Sequence, residues 1–248
     1  MKLIHMSDLH LTEKGKIIWG TDTMAHFDRA IDDIRHMDDI DAIIVTGDLS
    51  DDGSLWSYQY ADKRFASIEI PTYCCPGNHD SLKTMLCDFR PAFISFLPTF
   101  CLEGWKIILA NTVVPDEANQ SLNKSRGFLS DDWLLRIEEE LKEGLPTIIA
   151  MHHPSQEPGG WLNRRLLENR SVFNDMITNY PNARLVLYGH THYFTDFICG
   201  NIRHTSSSAI GYAFNKDLPK FQIAEGLEGY NIIEIKNETI TITPTLLS

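Results

Sequence analysis

The sequence contains no apolar run that approaches the ~20 residues needed to cross a bilayer. It also lacks an apolar leader, because His5, Asp8 and His10 interrupt the beginning of the chain. These two absences argue against a membrane-spanning protein and against a secreted one. We therefore expect a cytoplasmic protein that has no membrane partner.

Paired cysteines and an excess of basic residues are missing as well. The five cysteines, of which Cys74 and Cys75 are adjacent, have neither the even number nor the spacing of a disulfide framework or a thiolate zinc site. Lys and Arg number 22 against 34 Asp and Glu, which gives a formal net charge of -12. This balance disfavours nucleic acid as a partner, because proteins that bind the phosphate backbone carry a basic surface.

Six short apolar runs have the length of buried strands. Most of them are continuous rather than alternating, which is typical of sheets covered on both faces by helices. Helices are predicted between the strands, at residues 22–38, from an N-cap at Ser130 to Gly144, and at residues 161–179. The runs are KLIHM (2–6), AIIVT (42–46), TYCC (72–75), KIILA (106–110), TIIAM (147–151) and RLVLY (184–188).

The last quarter of the chain has a different pattern. Two pairs of strand-like segments surround turn signals at Gly200-Asn201 and at Lys236-Asn237-Glu238, which predicts two hairpins. We expect a mostly antiparallel set of strands that completes the same core. Strands that alternate with helices predict an α/β layered fold, and we expect residues 1–248 to form a single domain.

Polar side chains with metal-binding chemistry follow five of the six predicted strands. Each fragment alone is typical of an ordinary turn, in which Asn and Asp are favoured. Ligands of α/β sheets bind beyond the carboxyl ends of the strands, so the repetition of these residue types at that edge predicts one joint site. The residues, in strand order, are Asp8, His10, Asp48, Asn78, His152, His190 and His192.

Four imidazoles, two carboxylates and one amide oxygen are too many ligands for a single ion. One catalytic zinc takes about three protein ligands and a water, so seven groups predict two ions that share a bridging ligand. Asp48, which follows Gly47, is the candidate for that bridge. Nitrogen and oxygen ligands without sulfur suit manganese, iron, zinc or cobalt. Two ions about 3.5–4 Å apart bind a phosphoryl group and lower the pKa of a bridging water, which predicts hydrolysis of a phosphate ester.

His79 remains after the ligands have been assigned. A histidine titrates near pH 6.5 and is suited to donate a proton to the leaving alkoxide or a hydrogen bond to a phosphate oxygen. The GNHD segment therefore supplies a neutral oxygen ligand, Asn78, and a proton donor, His79, from adjacent positions.

The motifs DLH, GDLSDDG, GNHD, MHHP and GHTH, in this order, resemble those of the calcineurin-like metallophosphoesterase superfamily. The resemblance implies a four-layer α-β-β-α sandwich, with two mixed sheets flanked by helices, and a dinuclear metal centre. It also implies that His79 is the catalytic histidine. By matching motif positions, it implies that one metal takes Asp8, His10, Asp48 and His192, and the other takes Asp48, Asn78, His152 and His190.

Within the superfamily the chain is most similar to bacterial class III cyclic nucleotide phosphodiesterases and the related glycerophosphodiesterases. The features shared with them are GDLSDDG, MHHP and the serine-rich HTSSSAIGYAF after GHTH. Phosphoprotein phosphatases of the superfamily have an arginine in GDxxDRG where this chain has Asp52. A carboxylate there repels a phosphomonoester dianion more than a diester monoanion, which favours a small phosphodiester as substrate.

Two alternatives stay open, a phosphomonoesterase or nucleotidase of the same superfamily and a non-catalytic scaffold on this fold. His153 is predicted to pack beside the site rather than to bind metal, and His5 to lie in the core with a satisfied hydrogen bond. Trp161 and Tyr193 lie near the metal loops and are predicted either to stack on a base or to form walls. The sequence assigns neither a substrate-binding residue nor an oligomeric state.

Overall fold

Two β-sheets form the centre of the protein, of which the computed structural model describes residues 1–114 and 125–248. The strands of these residues are β1 (Lys2–Met6), β2 (Ala42–Thr46), β3 (Thr72–Cys75), β4 (Thr99–Leu102), β5 (Trp105–Ala110), β6 (Thr147–Met151), β7 (Ala183–Tyr188), β8 (Thr195–Cys199), β9 (Ile202–Ser206), β10 (Gly229–Lys236) and β11 (Thr239–Leu246). Sheet one has the order β11-β10-β1-β2-β3, and sheet two the order β4-β5-β6-β7-β9-β8. Both sheets are mixed, because β1 is parallel to β2 but antiparallel to β10, and β5 is parallel to β6 but antiparallel to β4.

Four α-helices among the described residues cover the sheets, and they are α1 (Thr23–Arg35), α2 (Leu55–Ala66), α3 (Asp131–Lys142) and α4 (Arg170–Thr178). Side chains cap the first three, since Asp22, Ser54 and Ser130 each accept a hydrogen bond from a main-chain N–H in the first turn. Each such cap contributes about 1 kcal/mol to stability. Within the described residues, every helix is too short or too polar to span a bilayer.

The helices and sheets stack in four layers. Leu3 and Ile44 of sheet one and Ile148 of sheet two belong to the apolar cluster between the sheets. The neighbouring residues in each strand point the other way, so that Ile43 packs with α1 and α2 and Ile149 packs with α3 and α4. Burial on both faces explains the continuous apolar runs. The predicted four-layer α-β-β-α sandwich of two mixed sheets is confirmed.

The predicted strands agree closely with the observed ones. Four of the six have the predicted bounds, and β5 and β7 begin one residue earlier. Neither α2 nor β4 was predicted from the sequence. Helix α2 buries the polar residues Ser57 and Asp62 as well as Phe65, so its sequence has no clear apolar stripe. Strand β4 lies at the edge of sheet two and has no fully buried residue, so its burial pattern gives little signal.

The prediction of one helix over residues 161–179 was wrong. A short 3-10 turn at Gly160–Arg164 and α4 are separated by an irregular segment. In that segment Leu167 N donates to Pro154 O at 2.9 Å and Glu168 N donates to Gly127 O at 2.8 Å. These main-chain groups therefore bond to other parts of the chain instead of continuing a helix.

Both predicted C-terminal hairpins are present, β8–β9 and β10–β11. One mostly antiparallel set was predicted from the sequence, but the two hairpins belong to different sheets. The first hairpin completes sheet two, where β9 is parallel to β7. The second completes sheet one, where β10 is antiparallel to β1. Each sheet thus gains its own C-terminal hairpin.

Candidate metal centre

The loops that follow β1, β2, β3, β6 and β7 meet at one edge of the sandwich. Main-chain hydrogen bonds join them, since His10 N donates to Asp48 O at 2.9 Å and Gly189 N donates to His152 O at 3.1 Å. All the predicted ligand residues are brought together here, and all except the half-buried Asn78 are buried. They form two groups, which are described in turn.

The first group contains Asp8, His10 and His192. His192 Nε2 lies 3.1 Å from Asp8 Oδ1 and 3.2 Å from His10 Nε2. His10 Nε2 also lies 3.7 Å from Asp48 Oδ2. Asp8 Oδ1 is buried and has no hydrogen-bond donor among the described residues.

The second group contains Asn78, His152 and His190. His152 Nε2 lies 3.0 Å from Asn78 Oδ1, 3.2 Å from His190 Nδ1 and 3.4 Å from Asp48 Oδ2. The same oxygen of Asp48 therefore faces both groups. Its other oxygen, Oδ1, accepts a hydrogen bond from His79 N at 2.8 Å, which holds the carboxylate in place.

Hydrogen bonds on the far side of three imidazoles fix which nitrogen faces the site. The Nδ1 atoms lie 2.9 Å from Asp51 Oδ1 for His10, 2.7 Å from Thr46 O for His152 and 2.6 Å from Tyr212 O for His192. These oxygens accept, so each Nδ1 carries a proton and Nε2 is the nitrogen that faces the site, where a metal ion would replace any proton on it. Such outer bonds orient histidine ligands in metal proteins.

The donor set fits metal ions. In the first group His10 Nε2 and Asp8 Oδ1 both lie within 3.2 Å of His192 Nε2. Two acceptor atoms repel at such distances unless a proton or a metal cation lies between them, and metal ions take the place of protons at such ligands. The same holds in the second group, where lone pairs meet the oxygens of Asn78 and Asp48. Nitrogen and oxygen ligands of this kind suit zinc, iron or manganese.

Both carboxylates are held in the charged form that metal binding needs. Burial raises the pKa of Asp48, but attraction to His152 and His79 outweighs it and holds the pKa well below its usual range. For Asp8, burial also raises the pKa, and His192 and His152 lower it further than burial raises it. The two charges are thus compensated within the site.

The main chain is constrained where the motifs place glycine. A Cβ at Gly77 would lie 2.1 Å from Asp48 Oδ1, and a Cβ at Gly189 would lie 2.0 Å from Ser7 Oγ. Real Cβ atoms do not approach other atoms so closely, so only glycine lets these loops pass. The glycine before Asn78 and the one before His190 are therefore required by packing.

The ligand positions themselves have an unusual backbone. A left-handed conformation is uncommon for residues other than glycine and costs about 1–3 kcal/mol each, and it is typical of functional sites. The surrounding hydrogen bonds and packing must hold it in place. The ligand candidates with φ between 48° and 66° are Asp8, His10, Asp48, His190 and His192.

His79 lies on the open side of the cluster, with 41% of its side chain exposed. Its Nδ1 is 3.2 Å from Asp51 Oδ1, so its Nε2 points away from that carboxylate. Burial lowers the pKa of His79, whereas Asp48 and Asp51 raise it, and the balance raises the pKa to about 9. Bound cations would oppose this shift through their positive charge.

Two acidic residues of the site, Asp51 and Asp80, were not predicted from the sequence. Asp51 contacts both His10 and His79 through Oδ1. Asp80 is buried and accepts hydrogen bonds from Gly77 N at 2.9 Å and Ser50 N at 3.0 Å, so it ties the GNHD loop to the GDLSDDG loop. Both residues lie within the motifs GDLSDDG and GNHD, which was the available signal. The sequence does not show where their side chains point.

The two histidines that were predicted to be structural are buried. His5 Nε2 lies 3.0 Å from Thr46 Oγ1, and burial lowers the pKa of His5 to about 3. His153 Nδ1 lies 2.8 Å from Thr112 Oγ1, and its ring packs edge-on against His152. Its Nε2 is buried and has no partner among the described residues. The prediction for His5 agrees with this geometry, and the packing role of His153 stays a prediction.

This set of donors on this sandwich is that of a metal-dependent phosphoesterase. The family model described as calcineurin-like phosphoesterase matches residues 1–194. The chain belongs to that family.

Among its relatives is a 3',5'-cyclic-nucleotide phosphodiesterase of Nostoc sp., which is 29% identical over 240 residues, 95% of this chain and 88% of that protein. The 3',5'-cyclic adenosine monophosphate phosphodiesterase CpdA of Escherichia coli (strain K12) is 26% identical over 241 residues, 95% of this chain and 85% of that protein. Among solved structures, a dimetal phosphatase from Danio rerio has a TM-score of 0.69 at 10% identity and covers 97% of this chain and 94% of that one. That likeness shows the fold alone.

Proposed function

We propose that the protein hydrolyses a 3',5'-cyclic nucleotide, or a similarly small phosphodiester, at a dinuclear metal centre. One observation carries the proposal: Asp48 Oδ2 lies 3.7 Å from His10 Nε2 and 3.4 Å from His152 Nε2, so one oxygen faces two groups of ligands. The relatives that cover 95% of this chain are named cyclic nucleotide phosphodiesterases, which supports this substrate class.

Each of the two ligand groups would hold one ion. Asp48 would bridge the ions, and each ion would take the remaining members of one group. When bound, the ions supply positive charge to the phosphoryl oxygens and lower the pKa of a water molecule. The first ion would take Asp8, His10 and His192 with Asp48, and the second would take Asn78, His152 and His190 with Asp48.

His79 is the proton donor of the proposed reaction. Asp51 holds its Nδ1, so Nε2 is the nitrogen that can reach a substrate on the open side of the site. There it would donate its proton to the leaving alkoxide or a hydrogen bond to a phosphate oxygen. Asp51 also contacts His10, so one carboxylate orients the proton donor and a ligand of the first ion.

The preference for diesters has its electrostatic basis in Asp51 rather than Asp52. Asp52 Oδ1 accepts from Ser54 N at 3.1 Å, and its Oδ2 accepts from Glu13 N at 2.9 Å, so this carboxylate braces its own loop. Asp51 is the carboxylate beside His79. Its negative charge would repel a phosphomonoester dianion more strongly than a diester monoanion.

We further propose that residues 1–248 work as one domain, because β10 and β11 complete the sheet that carries Asp8 and Asp48. The formal net charge of -12 supports a small phosphoester rather than nucleic acid as the partner. The cytoplasmic location stays a prediction.

The test is a panel of substrates and metals with the purified protein. Loaded with Mn²⁺, Fe²⁺ or Zn²⁺, it should hydrolyse 3',5'-cyclic AMP and bis(4-nitrophenyl) phosphate faster than 4-nitrophenyl phosphate. Elemental analysis should find two ions per chain, and a chelator should abolish turnover. Absence of diester hydrolysis with every metal would contradict the proposal.

The same panel separates the two alternatives. A faster rate on 4-nitrophenyl phosphate or a nucleoside monophosphate than on any diester would identify a phosphomonoesterase or nucleotidase. A folded chain that binds no metal would identify a scaffold.

A further inference from the structure

An aromatic surface lies directly beside the proposed metal centre. Its rings come from three separate loops, namely the loop after β1, the loop after β6 and the segment between β9 and β10. Two of the rings are exposed, Trp19 by 68% and Phe221 by 40%. We call this cluster the aromatic shelf, and its members are Trp19, Trp161, Phe214 and Phe221.

The shelf is continuous with the first ligand group. The ring of Phe214 stacks on the ring of His192, with the centroids 4.1 Å apart and the planes 5° from parallel. Phe221 lies 5.1 Å from Phe214, and Trp19 lies 5.3 Å from Phe221. Trp19, at the exposed end of the shelf, is therefore two ring contacts away from Phe214 and three from the ligand candidate His192.

The exposed indole of Trp19 lies close to a second aromatic residue. Its side chain approaches the hydroxyl of Tyr212. The ring of Tyr212 lies 4.7 Å from the ring of His10 and 4.8 Å from that of His192. Trp19 thus lies beside a ring that contacts two ligand candidates, and most of its surface is open to solvent.

We propose that the shelf binds the nucleobase of the substrate, with Trp19 and Phe221 as the stacking residues. The inference rests on the proposed function, because a phosphate at the metal centre places the base of a cyclic nucleotide one ribose away. Aromatic side chains bind bases by stacking and do so for every base. An aromatic surface of this kind suits a flat ring better than the flexible alkyl part of a glycerophosphodiester.

Two other residues that could stack on a base have different positions. Tyr193 is buried, and its hydroxyl donates to Gly159 O at 2.6 Å, so it forms a wall. Trp161 is half-buried against Phe214 at 5.4 Å and supports the shelf from below the exposed rings. An anionic membrane surface is disfavoured as the occupant because the chain carries a formal net charge of -12.

A pair of ligands that differ only in the base tests the assignment. Binding of 5'-AMP and of ribose 5-phosphate to the Mn²⁺-loaded protein is measured by calorimetry. The wild type should bind 5'-AMP at least about tenfold more tightly, in line with the strength of base stacking. Trp19→Ala and Phe221→Ala should bring this ratio close to one and leave the affinity for ribose 5-phosphate unchanged.

Two variants control for the loss of an aromatic residue as such. Trp133→Ala removes a half-buried tryptophan on α3, which packs against sheet two on the outer layer, and should keep the full ratio. Trp19→Phe keeps a ring at the stacking position and should retain a larger part of the ratio than Trp19→Ala. Circular dichroism of all variants confirms that they are folded.

Kinetics separate this inference from the proposed function. Trp19→Ala should raise the KM for 3',5'-cyclic AMP about tenfold with little change in kcat, because stacking is equally strong in the substrate and the transition state. If the wild type hydrolyses cyclic AMP but the variants keep its KM and its binding ratio, the shelf assignment is wrong and the function stands. If no diester is hydrolysed, the function fails, and equal binding of the two ligands, or binding of neither, then overturns the shelf assignment too.

Discussion

The loops of the two sheets supply different chemistry to the candidate site. Among the ligand candidates, the loops after β1, β2 and β3 of sheet one carry both carboxylates, the amide and one imidazole. The loops after β6 and β7 of sheet two carry imidazoles only. Neither sheet supplies a complete ligand group. Asp8 and His10 of sheet one meet His192 of sheet two, and Asn78 of sheet one meets His152 and His190 of sheet two. Sheet one thus brings the negative charge, and sheet two brings neutral nitrogen.

Each sheet also positions the ligands of the other. Asp8 Oδ2 accepts a hydrogen bond from His190 N at 2.9 Å, so a carboxylate of sheet one holds a loop of sheet two. In the opposite direction, His152 of sheet two donates from Nδ1 to Thr46 O of sheet one at 2.7 Å. The site is therefore a junction, and damage on either side should reach both metal positions.

The largest effect is expected from Asp48→Asn, which removes the negative charge that faces both ligand groups. Both proposed ions would lose a charged ligand, so we expect activity to fall by at least about 10⁴-fold, because metal stabilisation of several kcal/mol would be lost. Elemental analysis should find fewer than two ions per chain. Asp175→Asn, an exposed change on α4, is the matched control and should keep full activity and metal content. Two retained ions in Asp48→Asn would remove the basis for a bridging role.

His79→Ala should separate proton donation from metal binding. Its imidazole contacts His10 and Asp51, both in sheet-one loops, and we do not assign it as a ligand. We expect kcat to fall by about 10²- to 10⁴-fold while metal content is unchanged.

A comparison of two substrates with different leaving groups tests the role of His79 more specifically. The loss should be greater for 3',5'-cyclic AMP, whose alkoxide needs a proton, than for bis(4-nitrophenyl) phosphate, whose aryl leaving group does not. His36→Ala, which removes an exposed histidine at the end of α1, should leave both rates unchanged. Loss of metal from His79→Ala would show that the assigned role is wrong.

Asp51→Asn tests the carboxylate that orients two histidines of sheet one. Residues that only orient a ligand change metal affinity or activity by about 10- to 100-fold, so we expect a loss in this range together with weaker binding of one ion. The adjacent Asp52→Asn is the control. Since Asp52 braces its loop through Ser54 and Glu13, it should lower the melting temperature rather than kcat. The reverse pattern would contradict the assignment.

The smallest effect concerns stability, because ions that bind ligands from both sheets should stabilise the folded chain. Metal at 100 times its Kd contributes about 2.7 kcal/mol, which raises the melting temperature by about 5–10 °C for a chain of this size. Asn78→Ala from sheet one and His152→Ala from sheet two should reduce this shift equally. Loss of the α3 cap in Ser130→Ala should cost about 2–4 °C with metal and without it. Unequal shifts would show that the second group is not one site.

The strands of the core could be predicted from the sequence because their burial is two-sided. β1, β2 and β6 are buried at nearly every position and are mostly apolar, so the pattern marks both ends. Helix α2 could not be found in the same way, since it buries Ser57 and Asp62 among its apolar residues. The helix over residues 161–179 was predicted too long because the main-chain N–H groups of Leu167 and Glu168 bond to other segments of the chain. The sequence pattern does not reveal such contacts.

For the candidate site, the sequence could predict residue types but not directions. The ligand candidates follow strand ends, and parallel strands bring their carboxyl ends to one edge. Which of two adjacent carboxylates faces His79 depends on the turn, so Asp51 was missed and Asp52 received its role. The aromatic rings of Trp19 and Phe221 are separated by about 200 residues of sequence, and only the folded chain brings them together.

The left-handed backbone at most ligand candidates sets stability against function. At Asp8, Asp48 or His190, glycine would relieve a conformational cost of roughly 1 kcal/mol or more. A screen that rewarded heat resistance alone would therefore select replacements at these positions and recover inactive proteins. Engineering a hardier version of this chain should begin on the outer helices and leave this edge untouched.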